Sequence, residues 1–136
     1  MKILVTAGPT REALDPVRFL SNRSSGKMGY AIAEVAAARG HDVRLISGPV
    51  SLATPHGVAV SRVISAADML EAVLAQWDWC DALVMSAAVA DWRPMSVADG
   101  KLKKSEMSAT LKLERTADIL ETLKAIRQDH VVVGFA

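Results

Sequence analysis

Short apolar runs alternate with helical patterns along almost the whole chain, and this alternation limits the fold more than any other feature. Residues 2–6, rich in Ile, Leu and Val, are closed by Ala7-Gly8-Pro9-Thr10, the pattern of a buried strand delivering the chain to a loop. Residues 28–39 are alanine-rich with apolar positions at helical spacing, and Gly40 supplies the stop. A second strand is expected over 42–47, closed by Gly48-Pro49, a third over 58–63 and a helix over 66–77. Residues 81–85 read as a fourth strand ending at Ser86-Ala87-Ala88-Val89-Ala90-Asp91, after which Trp92-Arg93-Pro94 breaks regularity. Beyond a polar stretch, 110–113 alternates weakly like an edge strand. Residues 116–126 read as a helix capped by Thr116, and 131–133 as a fifth strand cut short at Gly134-Phe135-Ala136.

Strands separated by helices require right-handed crossovers, so the expected fold class is α/β. It is a Rossmann-like, open, mostly parallel sheet with helices on both faces. A length of 136 residues suits one domain, taken as 1–136. Ligands of such sheets lie beyond the carboxyl ends of the strands, so Gly8, Ser47, Ser86 and Phe135 are expected to ring one crevice.

Composition removes several classes of function. With 51% hydrophobic and 23% charged residues and a net charge of +1, neither disorder nor a nucleic-acid partner is implied. The longest nearly apolar stretch, 82–90, is about half of a bilayer-spanning helix, so no membrane association is expected. The N-terminus runs straight into strand sequence without a signal peptide, which points to the cytoplasm. The single cysteine, Cys80, has no metal-ligand spacing around it and reads as a packing residue. His41, His56 and His130 stand alone and read as solvent-facing or loop residues, so no protein-held metal is expected. No Ser-His-Asp, Cys-His or paired-carboxylate pattern is readable from spacing.

The long loop before the first helix is the most suggestive segment. Ser24-Ser25-Gly26-Lys27 lies where unpaired N–H groups and the helix dipole favour an anion, although serines capping a helix beside a solvated lysine explain the same string. A P-loop fails, because Ser21 and Met28 stand where it needs Gly and Ser or Thr. A dinucleotide site lacks its glycines and its acid, with only Gly8 in the first loop and Ser47 following Leu45-Ile46, though an NADP variant stays open. Lys101, Lys103 and Lys104 suit phosphates or a solvated loop. Asp91 suits a sugar hydroxyl, a base or an Asx turn. Trp77, Trp79 and Trp92 read as packing residues. The residues by themselves thus indicate a phosphate-ligand α/β domain, catalytic or simply nucleotide- or NADP-binding.

Three separated stretches carry a resemblance. They are Val5-Thr6-Ala7-Gly8-Pro9-Thr10-Arg11-Glu12 with Asp15-Pro16-Val17-Arg18; Ser21-Asn22-Arg23-Ser24-Ser25-Gly26-Lys27-Met28-Gly29; and Ala87-Ala88-Val89-Ala90-Asp91 with Lys101-Leu102-Lys103-Lys104. Together they closely resemble the phosphopantothenoylcysteine synthetase half of the bacterial bifunctional coenzyme A biosynthesis flavoproteins. The resemblance implies a phosphopantothenate–cysteine ligase using CTP with Mg²⁺, and 4′-phosphopantothenate and cysteine as partners, through an acyl-cytidylate. CTP over ATP rests on the resemblance alone.

Carried over by position, Asn22 and Lys101 are the implied catalytic residues. Gly8, Ser86, Ala87, Asp91, Lys101, Ala117, Asp118, Ile119, Leu120 and Phe135 fall at the nucleotide site. Arg18, Asn22, Ser24, Ser25, Gly26 and Lys27 fall where the pantothenate phosphate or the intermediate is expected. Family members usually carry Pro where this chain has Ala117, which removes rigidity but no backbone donor. They also continue beyond Gly134-Phe135-Ala136, so a C-terminally incomplete synthetase domain with weak or no turnover of its own is expected. No decarboxylase half precedes the segment, so FMN is not expected. A homodimer is implied as possible.

Overall fold

The computed structural model describes residues 1–126 and 128–135; Ala136, reached by the expected fifth strand, lies outside them. The elements run β1 (Lys2–Ala7), β2 (Glu12–Ala13), β3 (Phe19–Leu20), α1 (Lys27–Ala38), β4 (Asp42–Ser47), β5 (Val58–Arg62), α2 (Ala66–Gln76), β6 (Ala82–Met85), β7 (Trp92–Pro94), β8 (Leu113–Arg115), α3 (Ile119–Lys124) and β9 (Val131–Gly134). A single 3-10 turn, Trp77–Trp79, follows α2. Five strands form one sheet in the order β5-β4-β1-β6-β9 with every neighbour parallel. This is the Rossmann-like α/β architecture expected from the alternation.

Alternation along the central strand explains why both faces carry helices. Leu4 points to a core with Ile46, Met69, Val73, Leu83 and Leu123, closed by α2 and α3. Its neighbour Val5 points the other way, to Tyr30, Ala33, Ala36, Val43 and Leu45 beneath α1. Each fully buried Leu or Val contributes about 1.5–3 kcal/mol of transfer free energy, so a one-residue slip of β1 would forfeit both layers. Alanines and Gly29 let α1 lie close: a Cβ on Gly29 would stand 2.5 Å from Ala7 Cβ, 2.6 Å from Ser86 Oγ and 2.9 Å from the Thr6 carbonyl oxygen.

Several expectations are corrected. The edge strand expected over 110–113 is β8 at Leu113–Arg115, and it pairs antiparallel with β7 outside the main sheet. Trp92-Arg93-Pro94 is therefore a strand of that ribbon. The helix expected from residue 116 begins at Ile119 with Asp118 as N-cap, whose carboxylate accepts from the Glu121 N–H at 3.0 Å. Thr116 is unavailable as a cap, because its hydroxyl donates to the Ala90 carbonyl at 2.6 Å. The serines before α1 do not cap it either; Gly26, in a left-handed conformation, holds that position. His130 sits in a loop, as expected, but is half-buried, its ring stacked on Trp77 at 3.9 Å. Cys80 is buried, which pushes its thiol pKa up, and it packs in the core as expected.

Candidate functional site

Register brings the carboxyl ends of the central strands level: Ala7 lies opposite Ser47, Thr6 opposite Met85, and Met85 opposite Gly134. Beyond the sheet the chain stays tied. The Ser86 hydroxyl donates to the Thr6 carbonyl at 2.6 Å, the Ala87 N–H to Thr6 Oγ1 at 3.2 Å and the Ala88 N–H to the Gly8 carbonyl at 2.9 Å. The Ala90 N–H closes the series on Thr10 Oγ1 at 2.9 Å. Thr6 and Thr10 are fully buried, so each hydroxyl satisfies a backbone donor that a loop would otherwise leave to water.

These ties shape a cleft of about 460 Å³ outside the ends of β6 and β9. Ala87, Asp91, Ala117, Asp118, Ile119, Leu120 and Phe135 all line it, so residues chosen from two stretches and the strand end converge there. Trp92, Arg115 and Thr116 line it as well, none of them singled out by the sequence as a cleft residue, and Trp92, read there as a packing residue, is exposed on the cleft wall instead. Arg115 is carried in by the β7–β8 ribbon, with its guanidinium 5.3 Å from the Trp92 ring centre. Thr116 fixes the wall, its N–H donating to the Asp91 carbonyl at 2.9 Å while its hydroxyl holds Ala90. Only the ribbon pairing, a contact between segments twenty residues apart, could have revealed either.

Gly8, Ser47 and Ser86 do not line the cleft. Gly8 turns the backbone at φ 78°, and a Cβ there would lie 2.8 Å from Val50 Cγ1. Ser47 is buried under α1, accepting from the Tyr30 hydroxyl at 3.0 Å. The single crevice expected from four strand ends is thus a cleft at β6 and β9.

Asn22 stands beside the cleft's β6 side. Its Nδ2 donates to the Ala88 carbonyl at 2.7 Å and its Oδ1 accepts from the Ser24 N–H at 3.2 Å, which presents the amide in one orientation. One amide hydrogen and one acceptor lone pair are left over by those two bonds. Ser24 Oγ accepts from the Gly26 N–H at 3.3 Å, whereas Ser25 is exposed and Lys27 borders a separate hollow with Tyr30 and Leu52.

Arg18 and Lys101 lie away from the cleft lining. Arg18 forks onto Asp15, with Nε at 3.0 Å and Nη2 at 2.7 Å from one carboxylate oxygen, and its Nη2 also donates to the Leu102 carbonyl at 2.7 Å. Burial raises the pKa of Asp15, but the Arg18 guanidinium and the N–H groups of Arg18, Val17 and Leu102 outweigh it and hold the carboxyl far below the usual range. Lys101 is exposed and directly precedes the Leu102 peptide held there. Among the described residues no group of His, Cys, Asp or Glu is placed to hold a metal ion, and no helix is long and apolar enough to cross a membrane.

Comparison with known proteins agrees with this fold. The coenzyme A biosynthesis bifunctional protein CoaBC of Bacillus subtilis is 54% identical over 135 residues, covering 98% of this chain and 33% of that protein. The chain therefore spans about a third of the length of the curated relative it matches. A crystal structure of the C-terminal domain of a CoaBC protein superposes with a TM-score of 0.87 at 50% identity, covering 99% of this chain and 63% of that one. A Cab2 mutant in complex with phosphopantothenate-cysteine, 18% identical with a TM-score of 0.76 over 90% of this chain and 58% of its own, shares the fold. The family described as the DNA/pantothenate metabolism flavoprotein C-terminal domain matches residues 1–136, and the chain belongs to that family.

Proposed function

We propose that this chain is part of a cytoplasmic phosphopantothenate–cysteine ligase of coenzyme A biosynthesis that binds CTP in the cleft between β6 and β9. The observation that carries the proposal is the convergence of Ala87, Asp91, the 117–120 turn and Phe135 on that one cleft, with Asn22 anchored to the adjacent Ala88. Similarity to the CoaBC relatives, of whose length the chain spans about a third, supports the same chemistry here.

In this reading the 4′-phosphopantothenate carboxylate attacks the α-phosphorus of CTP, and the bond to pyrophosphate breaks. The amine of cysteine then attacks the acyl carbon, CMP departs and the amine's proton goes to solvent. Both steps build negative charge on phosphate oxygens, so donors and cations fixed beforehand lower the barrier. Asn22, oriented by its bonds to Ala88 and Ser24, steadies the acyl-cytidylate for attack. Lys101 supplies charge toward the triphosphate, and Ser24 to Lys27 meet the pantothenate end. Mg²⁺ brought by the nucleotide would add positive charge at its phosphates.

Calorimetry with CTP, ATP and NADPH tests the assignment. CTP is expected to bind, and Asp91→Ala and Asn22→Ala to weaken CTP binding and acyl-cytidylate formation respectively. A preference for NADPH overturns the ligase reading in favour of a dinucleotide module.

A further inference from the structure

Asp15 is a buried carboxylate to which the proposed chemistry gives no task. It is 3% exposed, an environment in which an ion needs a partner and a full set of hydrogen bonds. Two of its bonds are local, from the N–H groups of Val17 at 2.9 Å and Arg18 at 2.7 Å, and the Arg18 fork adds a charged pair. Together with the Leu14 N–H donating to the Arg18 carbonyl at 2.8 Å they make a rigid turn over residues 14–18. The remaining bond is of a different kind: the Leu102 N–H, 87 residues away, donates to Asp15 Oδ2 at 3.2 Å.

The Leu102 residue is thereby gripped on both sides, its N–H by Asp15 and its carbonyl by Arg18 Nη2. A further bond, from the Ala98 N–H to the Leu14 carbonyl at 3.1 Å, ties the same strap to the same turn. Lys101 sits between these two anchor points. On its other side the turn runs through Phe19–Leu20 directly to Asn22, which is pinned to Ala88.

We propose that Asp15 is a positioning residue: through the 14–18 turn it clamps the strap at Ala98 and Leu102 and so fixes Lys101 relative to Asn22. The clamp stands on geometry alone, while its use in catalysis rests on the ligase reading of Lys101. A purely structural rivet would stabilise the fold without any link to Lys101, and the two roles separate in one experiment.

Hydrogen exchange followed by mass spectrometry on the intact chain reads the clamp. Asp15→Asn, nearly isosteric but uncharged, is expected to speed exchange in peptides covering 98–107 by about tenfold or more while those of β1 and α1 keep their protection. Unchanged exchange in a folded variant overturns the clamp. If Asp15→Asn does not fold, Arg18→Lys keeps a cation beside Asp15 but loses the fork that reaches Leu102, and the same localised rise is expected.

CTP affinity, measured by calorimetry for Asp15→Asn, Lys101→Ala and the double variant, reads the positioning. If Asp15 acts through Lys101, the double variant binds no more weakly than Lys101→Ala; additive losses overturn the positioning. Unchanged affinity in Lys101→Ala alone removes the lysine from the nucleotide site, which defeats the ligase reading at that residue and the positioning with it. The exchange result then still decides the clamp.

Discussion

Two segments of this protein look alike in sequence and differ in physics: the loop over 8–26 and the strap over 98–112. Both are polar, both lack long regular elements, and both contain residues implied in catalysis. The first buries Thr10, Glu12 and Asp15, and each of these side chains bonds a distant backbone group: Ala90, Ala66 and Leu102. The second exposes Lys101, Lys103 and Lys104, bonds partly to itself, as where the Glu106 N–H meets the Lys103 carbonyl at 2.9 Å, and reaches the rest of the fold at a few points such as Ala98 and Leu102. Irregular backbone is therefore held firmly where its polar groups are buried and paired, and held at a few points where they are not.

The largest effect that tests this contrast comes at the seam between the loop and the sheet. Gly29→Ala would drive a methyl to within 3.0 Å of Ala7, Ser86 and the Thr6 carbonyl, none of which can withdraw without breaking the sheet end. Even after the gain of about 1 kcal/mol in helix propensity, a loss of about 3 kcal/mol in unfolding free energy is expected by urea titration. A loss under about 1 kcal/mol would mean that the helix rides loosely and that the loop is not fixed from this side.

Next in size is Glu12. Its Oε1 accepts from the Ala66 N–H at 2.7 Å at the buried N-terminus of α2, where a negative charge also suits the helix dipole. Glu12→Ala orphans that donor and is expected to cost about 2 kcal/mol, with Glu12→Gln recovering part by keeping an acceptor. Equal losses in the two variants would assign the effect to packing instead.

How much of this was legible in the sequence follows from where the partners lie. The parallel sheet was readable, because the β1, α1 and β4 patterns are local and Gly40 and Gly48 mark their ends. The cleft residues Asp91 and Phe135 followed from strand-end logic and from the resemblance. The tasks of Glu12 and Asp15 were not readable, since their bonding partners are 54 and 87 residues away and an Asp-Pro pair reads simply as a turn. The β7–β8 ribbon was hidden for the same reason: Pro94 argues against a strand, yet it stands at the end of a short pair where its missing N–H costs nothing.

Asp15 also separates the two segments by pH. Its carboxyl titrates below its ordinary value of 3.8 when folded, so the unfolded chain takes up the proton first on acidification. The stabilisation is fully present above about pH 4 and is lost as pH falls from there toward the folded pKa. The acid limb of a stability-against-pH curve is expected to flatten in Asp15→Asn, while the curve above pH 5 keeps its shape. An acid limb identical to that of the unsubstituted chain would show that other carboxylates set it.

The smallest effect is the most discriminating, because it is the same substitution as the largest with the opposite sign. Gly100 lies in the strap between the two anchor points, nothing stands within 4 Å of where its Cβ would be, and its φ lies outside the left-handed region. Alanine there meets no neighbour in the folded state and restricts the unfolded chain, so Gly100→Ala is expected to raise the unfolding free energy by about 0.5 kcal/mol. If it lowers stability instead by more than about 1 kcal/mol, the strap is packed along its length, and the clamp at Leu102 is one contact among many.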